Sequence, residues 1–246
     1  MPKLTRNSAV GAGRLQKVGL SPAEFGFSKR GAPRAGGYRM KIGVIGAATV
    51  GWTLAKKLAG KGHDVQIANS RGVESLVPRI VDADVPLQPV LLEEALSNDL
   101  VLLAVPWVKI REVLDRQLDW NGRIIIDATN IFTSYAPDFQ VDDLGNDSGS
   151  EIIARLTPGA RVVKAFNTLP IEKMFAPLPA SGLKRVLFVA GNNEPAVKDV
   201  MNIVRDCDLD PVAIGSLAVA GRQMELHGAL NGLELFSPSD DNKEMV

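Results

Sequence analysis

From residue 41 onward, short apolar runs alternate along the chain with amphipathic stretches. The apolar run 41–45 (KIGVI) is typical of a buried parallel strand. In the stretch that follows, Val50, Leu54 and Leu58 are spaced four residues apart, as they would be on one face of a helix. A second apolar run at 64–68 completes a strand–helix–strand unit, which takes about 30 residues in known folds.

The same alternation continues towards the C-terminus. It predicts further strands at 100–105, 123–127, 161–165, 185–190 and 211–214. It predicts helices at 108–118, 150–156, 195–206 and about 217–236. This order favours an α/β fold of the Rossmann type, with a doubly wound, largely parallel sheet and a short C-terminal helical segment.

Basic residues are in large excess over acidic residues before the first strand. Residues 1–39 carry eight basic side chains and a single acid, Glu24, although the whole chain has no net charge. This segment is rich in glycine and has no periodicity, so we expect a disordered basic extension. We expect one domain over 40–236 and a polar, frayed tail over 237–246.

The role of the basic extension stays open between three interpretations. It could be an organelle transit peptide, because it is rich in arginine and poor in acids. It could tether the protein to nucleic acid or another acidic surface. Met40 directly precedes the first strand, which favours an upstream extension without a function in the fold.

Composition excludes several classes of site. The chain has one cysteine, Cys207, and its two histidines, His63 and His227, are far apart in sequence. These residues supply no disulfide framework and no metal motif. No apolar run is long enough to cross a bilayer. We therefore expect a cytoplasmic protein without a metal, a membrane segment or a nucleic-acid partner.

A glycine-rich turn joins the first strand to the first helix. It has the pattern G-x-A-x-x-G, in which Ala48 takes the place of the usual middle glycine. A turn of this kind binds a dinucleotide pyrophosphate with backbone N–H groups at the start of the helix. The predicted contacts are Gly46, Ala48, Thr49, Val50 and Gly51.

The residues after the second strand indicate which dinucleotide is bound. NAD-specific sites carry Asp or Glu here, to accept a hydrogen bond from the ribose 2′-OH. This chain has Asn69, Ser70 and Arg71 instead. The amide does not repel a 2′-phosphate, the hydroxyl can donate to it, and the guanidinium can pair with it. The loop therefore predicts NADP(H) as the cofactor.

Several separate motifs resemble the NADP oxidoreductase family that acts with the deazaflavin coenzyme F420. The resemblance covers about residues 40–235, and a more distant similarity to the cytosolic domain of membrane ferric reductases accompanies it. The motifs are MKIGVIGAATVG, the ANSRG loop, LLAVPW at 102–107, DATN at 127–130, VVKAFNTLP at 162–170 and VAGNNEPAVKDVMNIV at 189–204.

The resemblance implies further dinucleotide contacts at the ends of three later strands. They are Val105, Pro106, Trp107, Asn130, Asn167 and Thr168. Trp107 has the alternative role of a core or rim aromatic. Asn167 and Thr168 have the alternative role of capping the backbone.

The resemblance also implies hydride transfer between NADP(H) and a flavin-like acceptor, either coenzyme F420 or FMN/FAD, in a homodimer. No catalytic residue is identified, because this chemistry resides in the cofactors. Two alternatives stay open. One is an NADP-dependent dehydrogenase or reductase of a small imine or hydroxy acid, and the other is a module that senses NADP(H) without turnover.

Overall fold

A nine-stranded sheet forms the centre of the computed structural model, which describes residues 39–117 and 119–239. The expected disorder of the basic extension falls on residues outside the described part, apart from Arg39. The sheet strands are β1 (Lys41–Ile45), β2 (Asp64–Ala68), β3 (Leu87–Pro89), β4 (Leu100–Leu103), β5 (Ile124–Asp127), β8 (Arg161–Lys164), β9 (Leu183–Gly191), β10 (Asp210–Ala213) and β11 (Phe236–Pro238). Two short strands, β6 (Phe132–Ser134) and β7 (Gln140–Val141), form a separate hairpin.

The strand order is β10-β9-β8-β5-β4-β1-β2-β3, and the core from β8 to β3 is parallel. Strand β9 runs antiparallel to β8, β10 is parallel to β9, and β11 pairs with β9 in the antiparallel sense. The predicted Rossmann-type, largely parallel sheet is confirmed. Its order reverses beside β1, so the carboxyl ends of β1 and β4 border a crevice where ligands bind in such folds.

Helices cover both faces of the sheet. They are α1 (Thr49–Gly60), α2 (Val77–Ala83), α3 (Leu92–Leu96), α4 (Ile110–Leu114), α5 (Gly149–Leu156), α6 (Ile171–Met174), α7 (Glu194–Asp206) and α8 (Arg222–Met224). Leu100 and Leu102 pack into the cluster under α1 and α7, and Val101 and Leu103 pack into the cluster under α3, α4 and α5. Because both faces are buried, the central strands are mostly apolar, as the sequence pattern indicates.

The predicted C-terminal helix over 217–236 is wrong for most of its length. The segment makes one π-helical turn at Leu217–Gly221, continues through α8 and then follows irregular turns to β11. His227 and Gly232 have φ values of 72° and 81°, which a right-handed helix does not allow. The predicted frayed tail is also wrong at its start, because Ser237 and Pro238 belong to β11.

Other boundaries differ by smaller amounts. The helix predicted at 108–118 is a 3₁₀ turn at Trp107–Lys109 followed by the five-residue α4. Val50, Leu54 and Leu58, predicted to share one face of a helix, lie within α1, and Gly62 beyond its end has a φ of 94°. In the described part of the chain, no helix is long and apolar enough to cross a membrane.

Cys207 directly follows α7 and is buried in the core. Burial raises the pKa of its thiol to about 12, so the reactive thiolate is scarce at neutral pH. We expect a thiol reagent to leave the native protein unlabelled and to modify one equivalent after unfolding in denaturant. Labelling of the native protein as fast as the unfolded protein would contradict this burial.

Candidate functional site

The turn after β1 is built by two glycines that bring three chain segments together. Gly46 has a φ of 102°, and a Cβ there would lie 2.3 Å from the carbonyl oxygen of Ala104, after β4. A Cβ on Gly51 would lie 2.0 Å from the carbonyl oxygen of Gly46. The N–H of Gly46 donates to the carbonyl oxygen of Ala68, at the end of β2, over 2.9 Å. Both positions therefore require glycine.

Ala48 caps α1 through its backbone alone. Its side chain makes no cap hydrogen bond, and the first intrahelical bond of the turn runs from the N–H of Trp52 to the Ala48 carbonyl oxygen. The N–H groups of the first turn of a helix have no intrahelical partner, and they carry the positive end of the helix dipole. Ala48 and Thr49 are exposed and Val50 is half-buried, so this end is open to an anion.

Asn69 organises the loop after β2. Its side-chain oxygen accepts a hydrogen bond from the N–H of Arg71 over 2.9 Å, and its amide nitrogen donates to the hydroxyl of Ser75. This hydroxyl in turn donates to the carbonyl oxygen of Gly72. The side chains of Ser70 and Arg71 are exposed beside the turn. Asn69 therefore holds the loop in shape and leaves the side chains of Ser70 and Arg71 exposed.

A second arginine reaches the turn from α2. The Nη1 atom of Arg79 donates to the carbonyl oxygen of Ala47 over 2.7 Å. Its Cζ atom lies 3.9 Å from the centroid of the Trp52 ring. Burial and then the positive charge of Arg71 lower the pKa of Arg79 below its ordinary value. Cations from two elements therefore approach the same edge of the turn.

The residues after β4 divide into two groups. Val105 adjoins the turn, because a Cβ on Gly46 would lie 3.1 Å from its Cγ1 atom, and Pro106 is exposed. Trp107 is buried in the core and donates from Nε1 to a carboxylate oxygen of Asp142 over 2.8 Å. Its indole nitrogen is therefore committed to the loop before α5.

Asn130 and Asn167 form a mutual amide pair at the ends of β5 and β8. Asn130 donates to the backbone carbonyl of Asn167 over 3.0 Å, and Asn167 donates back to the Asn130 side chain over 3.1 Å. Asn167 also donates to the carbonyl oxygen of Met224, and the Thr168 carbonyl oxygen accepts from Gly232. Asn167 and Thr168 therefore attach the C-terminal segment to the sheet.

Two features at this point favour a ligand contact as well. The Oδ1 atom of Asn167 is buried and has no hydrogen-bond partner within the part of the chain that the structure describes. Leaving a buried acceptor unpaired costs about 1–3 kcal/mol. The preceding residue, Phe166, is buried with a φ of 63°, a conformation that is costly for a large side chain and frequent at functional sites.

A buried charged network lies behind the amide pair. Lys164 at the end of β8 contacts a carboxylate oxygen of Asp127 at 3.0 Å and of Glu225 at 3.4 Å. It also donates to the backbone carbonyl of Thr129, and Ser150 donates to Asp127. The side chains of Lys164 and Asp127 are fully buried. The network joins β5, β8, α5 and the C-terminal segment.

Burial and charge pairing oppose each other in this network. Burial by itself raises the pKa of Asp127, but the charge of Lys164 and the hydrogen bonds to the carboxylate outweigh it and lower this pKa. Burial by itself lowers the pKa of Lys164, but the two carboxylates outweigh it and raise this pKa. For Glu225 burial is the largest cause, and its pKa is raised.

A cavity of about 550 Å³ opens at the same edge of the sheet. The loop around 142–147 and the segment 218–228 form its walls, and Ile131 reaches it from the chain after β5. Its ionisable lining residues are Asp142, Asp143, Asp147, Arg222, Glu225 and His227. A volume of this size suits a small organic molecule.

The chain is similar to a known protein family and to a solved structure. A family model described as NADP oxidoreductase coenzyme F420-dependent matches residues 41–131. The solved hypothetical protein SMa0349 from Sinorhizobium meliloti is 36% identical, with a TM-score of 0.73, and the alignment covers 81% of this chain and 96% of that one. Over residues 41–131 the chain matches the F420-dependent NADP oxidoreductase family.

Two further proteins are similar to this chain over about three quarters of its length. A protein from Arthrobacter sp. FB24, proposed to be an F420-dependent NADP reductase, is 27% identical, with a TM-score of 0.60 and coverage of 74% of this chain and 87% of that one. Metalloreductase STEAP3 from Rattus norvegicus is 29% identical over 188 residues, or 75% of this chain and 36% of the rat protein. The chain spans about a third of the length of the curated relatives it matches first.

Three residues of the site were not among those predicted from the sequence. Lys164 could have been identified from the sequence, because a charged side chain in an otherwise apolar strand requires a buried partner. Glu225 could not, because the segment around it has the spacing of an ordinary helix. Arg79 could not either, since an arginine on a short helix is normally only solvated.

Proposed function

We propose that this protein is an NADPH-dependent oxidoreductase that transfers hydride between NADP(H) and a flavin-like acceptor, coenzyme F420 or FMN/FAD. The observation that carries the proposal is the loop after β2. An amide and a guanidinium, Asn69 and Arg71, occupy the place where an NAD site has a carboxylate, directly beside the Gly46–Gly51 turn.

The donor set at this edge suits the rest of the dinucleotide. The uncapped start of α1 supplies N–H groups for the pyrophosphate. The unpaired Oδ1 atom of Asn167 suits an N–H donor such as the nicotinamide carboxamide. NADPH, when bound, supplies the hydride, so the chain has to hold the ring, orient it and exclude water.

The cavity between the 142–147 loop and the 218–228 segment is the proposed position of the acceptor. Support comes from its size and from Ile131, which follows Asn130 directly and so connects the cavity to the amide pair. Mixing the protein with NADPH and each of F420, FMN and FAD, and following nicotinamide absorbance, tests this assignment. Turnover of a small imine or hydroxy acid, with none on the three flavin-like acceptors, would overturn it.

Replacing Arg71 with alanine is expected to weaken NADPH binding by about 1–3 kcal/mol and to leave NADH binding nearly unchanged. The reason is that the guanidinium would contact the 2′-phosphate, which NADH lacks. Isothermal titration calorimetry with both dinucleotides measures the difference. Arg111→Ala, which removes an exposed arginine from α4, is the matched control and should affect neither. Equal losses for both dinucleotides in Arg71→Ala would exclude this role.

A further inference from the structure

The side chain of Arg79 is placed by contacts on two sides. One side is the turn itself, through the hydrogen bond to the carbonyl oxygen of Ala47. The other is α1, through the stacking of the guanidinium on the ring of Trp52. Stacking and a hydrogen bond to a rigid turn restrict a side chain that would otherwise be free in solvent. The guanidinium is therefore held in place before any ligand arrives.

The positive charges at this edge of the turn have no ion-paired carboxylate in the described part of the chain. Arg71 and Arg79 are close enough for the charge of one to lower the pKa of the other. In residues 39–117 and 119–239, neither guanidinium has a carboxylate within ion-pair distance. Glu74 is the single acid between them in sequence, and it does not pair with either. Two like charges held together without a counterion favour the binding of an anion.

The position of this pair limits which anion it can meet. Arg71 follows β2, whose last residue, Ala68, is hydrogen-bonded to Gly46, and Arg79 is bonded to the residue after Gly46. In this fold the adenosine ribose of a bound dinucleotide lies between the turn and the end of β2. A phosphate monoester there carries a charge of about −1.5 to −2 at neutral pH.

We propose that Arg79 is a second specificity-determining residue for NADP(H), which binds the ribose 2′-phosphate together with Arg71. This inference rests on the proposed function, because it takes the dinucleotide to be NADP(H). A guanidinium has five N–H donors. The bond to Ala47 uses one nitrogen of Arg79, so the other nitrogens are available for the phosphate.

The test compares two small probes, adenosine 2′,5′-bisphosphate and ADP, by isothermal titration calorimetry on the full chain. Only the first probe has a 2′-phosphate. The informative variant is Arg79→Gln, which keeps an N–H donor for Ala47 but has no charge. We expect it to weaken binding of the bisphosphate about tenfold to a hundredfold and binding of ADP less than about twofold. Arg79→Lys should recover part of the loss, because it restores the charge but not the planar fork.

Arg205→Gln is the matched control, since Arg205 is exposed on α7 and its guanidinium donates to the side-chain oxygen of Asn202. A similar loss for both probes in Arg79→Gln would mean that Arg79 supports the turn or stacks on adenine. An unchanged bisphosphate affinity would place Arg79 outside the pocket. Either result overturns this inference alone. If the unaltered protein does not prefer the bisphosphate over ADP, the proposed NADP(H) function fails first.

Discussion

Replacing Lys164 with methionine is expected to lower the free energy of unfolding by about 3–5 kcal/mol at neutral pH. Methionine has nearly the same shape, but it leaves the carboxylates of Asp127 and Glu225 buried without a cation. Breaking one side of a buried pair costs more than the pair itself contributes, because the remaining charge is desolvated and unpaired. Denaturant unfolding followed by circular dichroism measures the loss.

The pH dependence of this loss has a defined sign. In the unaltered protein the pKa of Asp127 is lowered, so its contribution to stability is present above the unfolded pKa and declines as pH falls through the folded pKa. Without Lys164, burial raises the pKa of both carboxyls in the folded protein. The variant is therefore most stable in acid, where both carboxyls are protonated, and it loses stability as pH rises. The deficit of Lys164→Met should therefore shrink as pH falls.

Two variants control for this result. Lys198→Met removes an exposed lysine that pairs with Glu194 on α7, and we expect no measurable change in stability. The double variant Asp127→Asn, Lys164→Met should lose less stability than the sum of the two single variants. In the double variant neither Lys164 nor Asp127 remains as an unpaired charge facing the position of the other. Simple additivity would show that the two charges are not coupled.

Replacing Gly51 with alanine is expected to weaken binding of NADPH and NADH alike by about tenfold to a hundredfold. The added Cβ would lie 2.0 Å from the carbonyl oxygen of Gly46, so the turn has to move away from α1. Overpacking of this kind costs about 1–3 kcal/mol, and the displaced segment is the one that would hold the pyrophosphate. Titration with both dinucleotides, at a temperature where the variant is fully folded, measures the effect.

Gly60→Ala is the matched control, because Gly60 is the last residue of α1 and a Cβ there meets no other atom within 4 Å. Its binding of both dinucleotides should equal that of the unaltered protein. A selective loss of NADPH in Gly51→Ala would contradict the interpretation, since the turn does not distinguish the two dinucleotides. Unchanged binding of both would show that the dinucleotide lies elsewhere.

Elements with a clear apolar pattern could be predicted from the sequence, and elements without one could not. In α1 the apolar residues lie four positions apart, and β1, β4 and β5 contain continuous apolar runs. Helices α2 and α3 have seven and five residues, too few for a period to be recognised. The C-terminal segment has apolar residues at helical spacing, but its turn at His227 and Gly228 interrupts the helix.

The Rossmann-type alternation, the glycine turn and the amide and guanidinium after β2 could all be predicted from the residues alone, because each depends on the backbone freedom and polarity of neighbouring residues. Only the tertiary structure decided that β9 runs antiparallel, that Glu225 reaches Lys164, and that Arg79 stacks on Trp52 beside Ala47. Each of these joins residues far apart in the chain. A periodic pattern tells which side chains are buried, but the partner of a buried or bridging charge depends on how the elements pack.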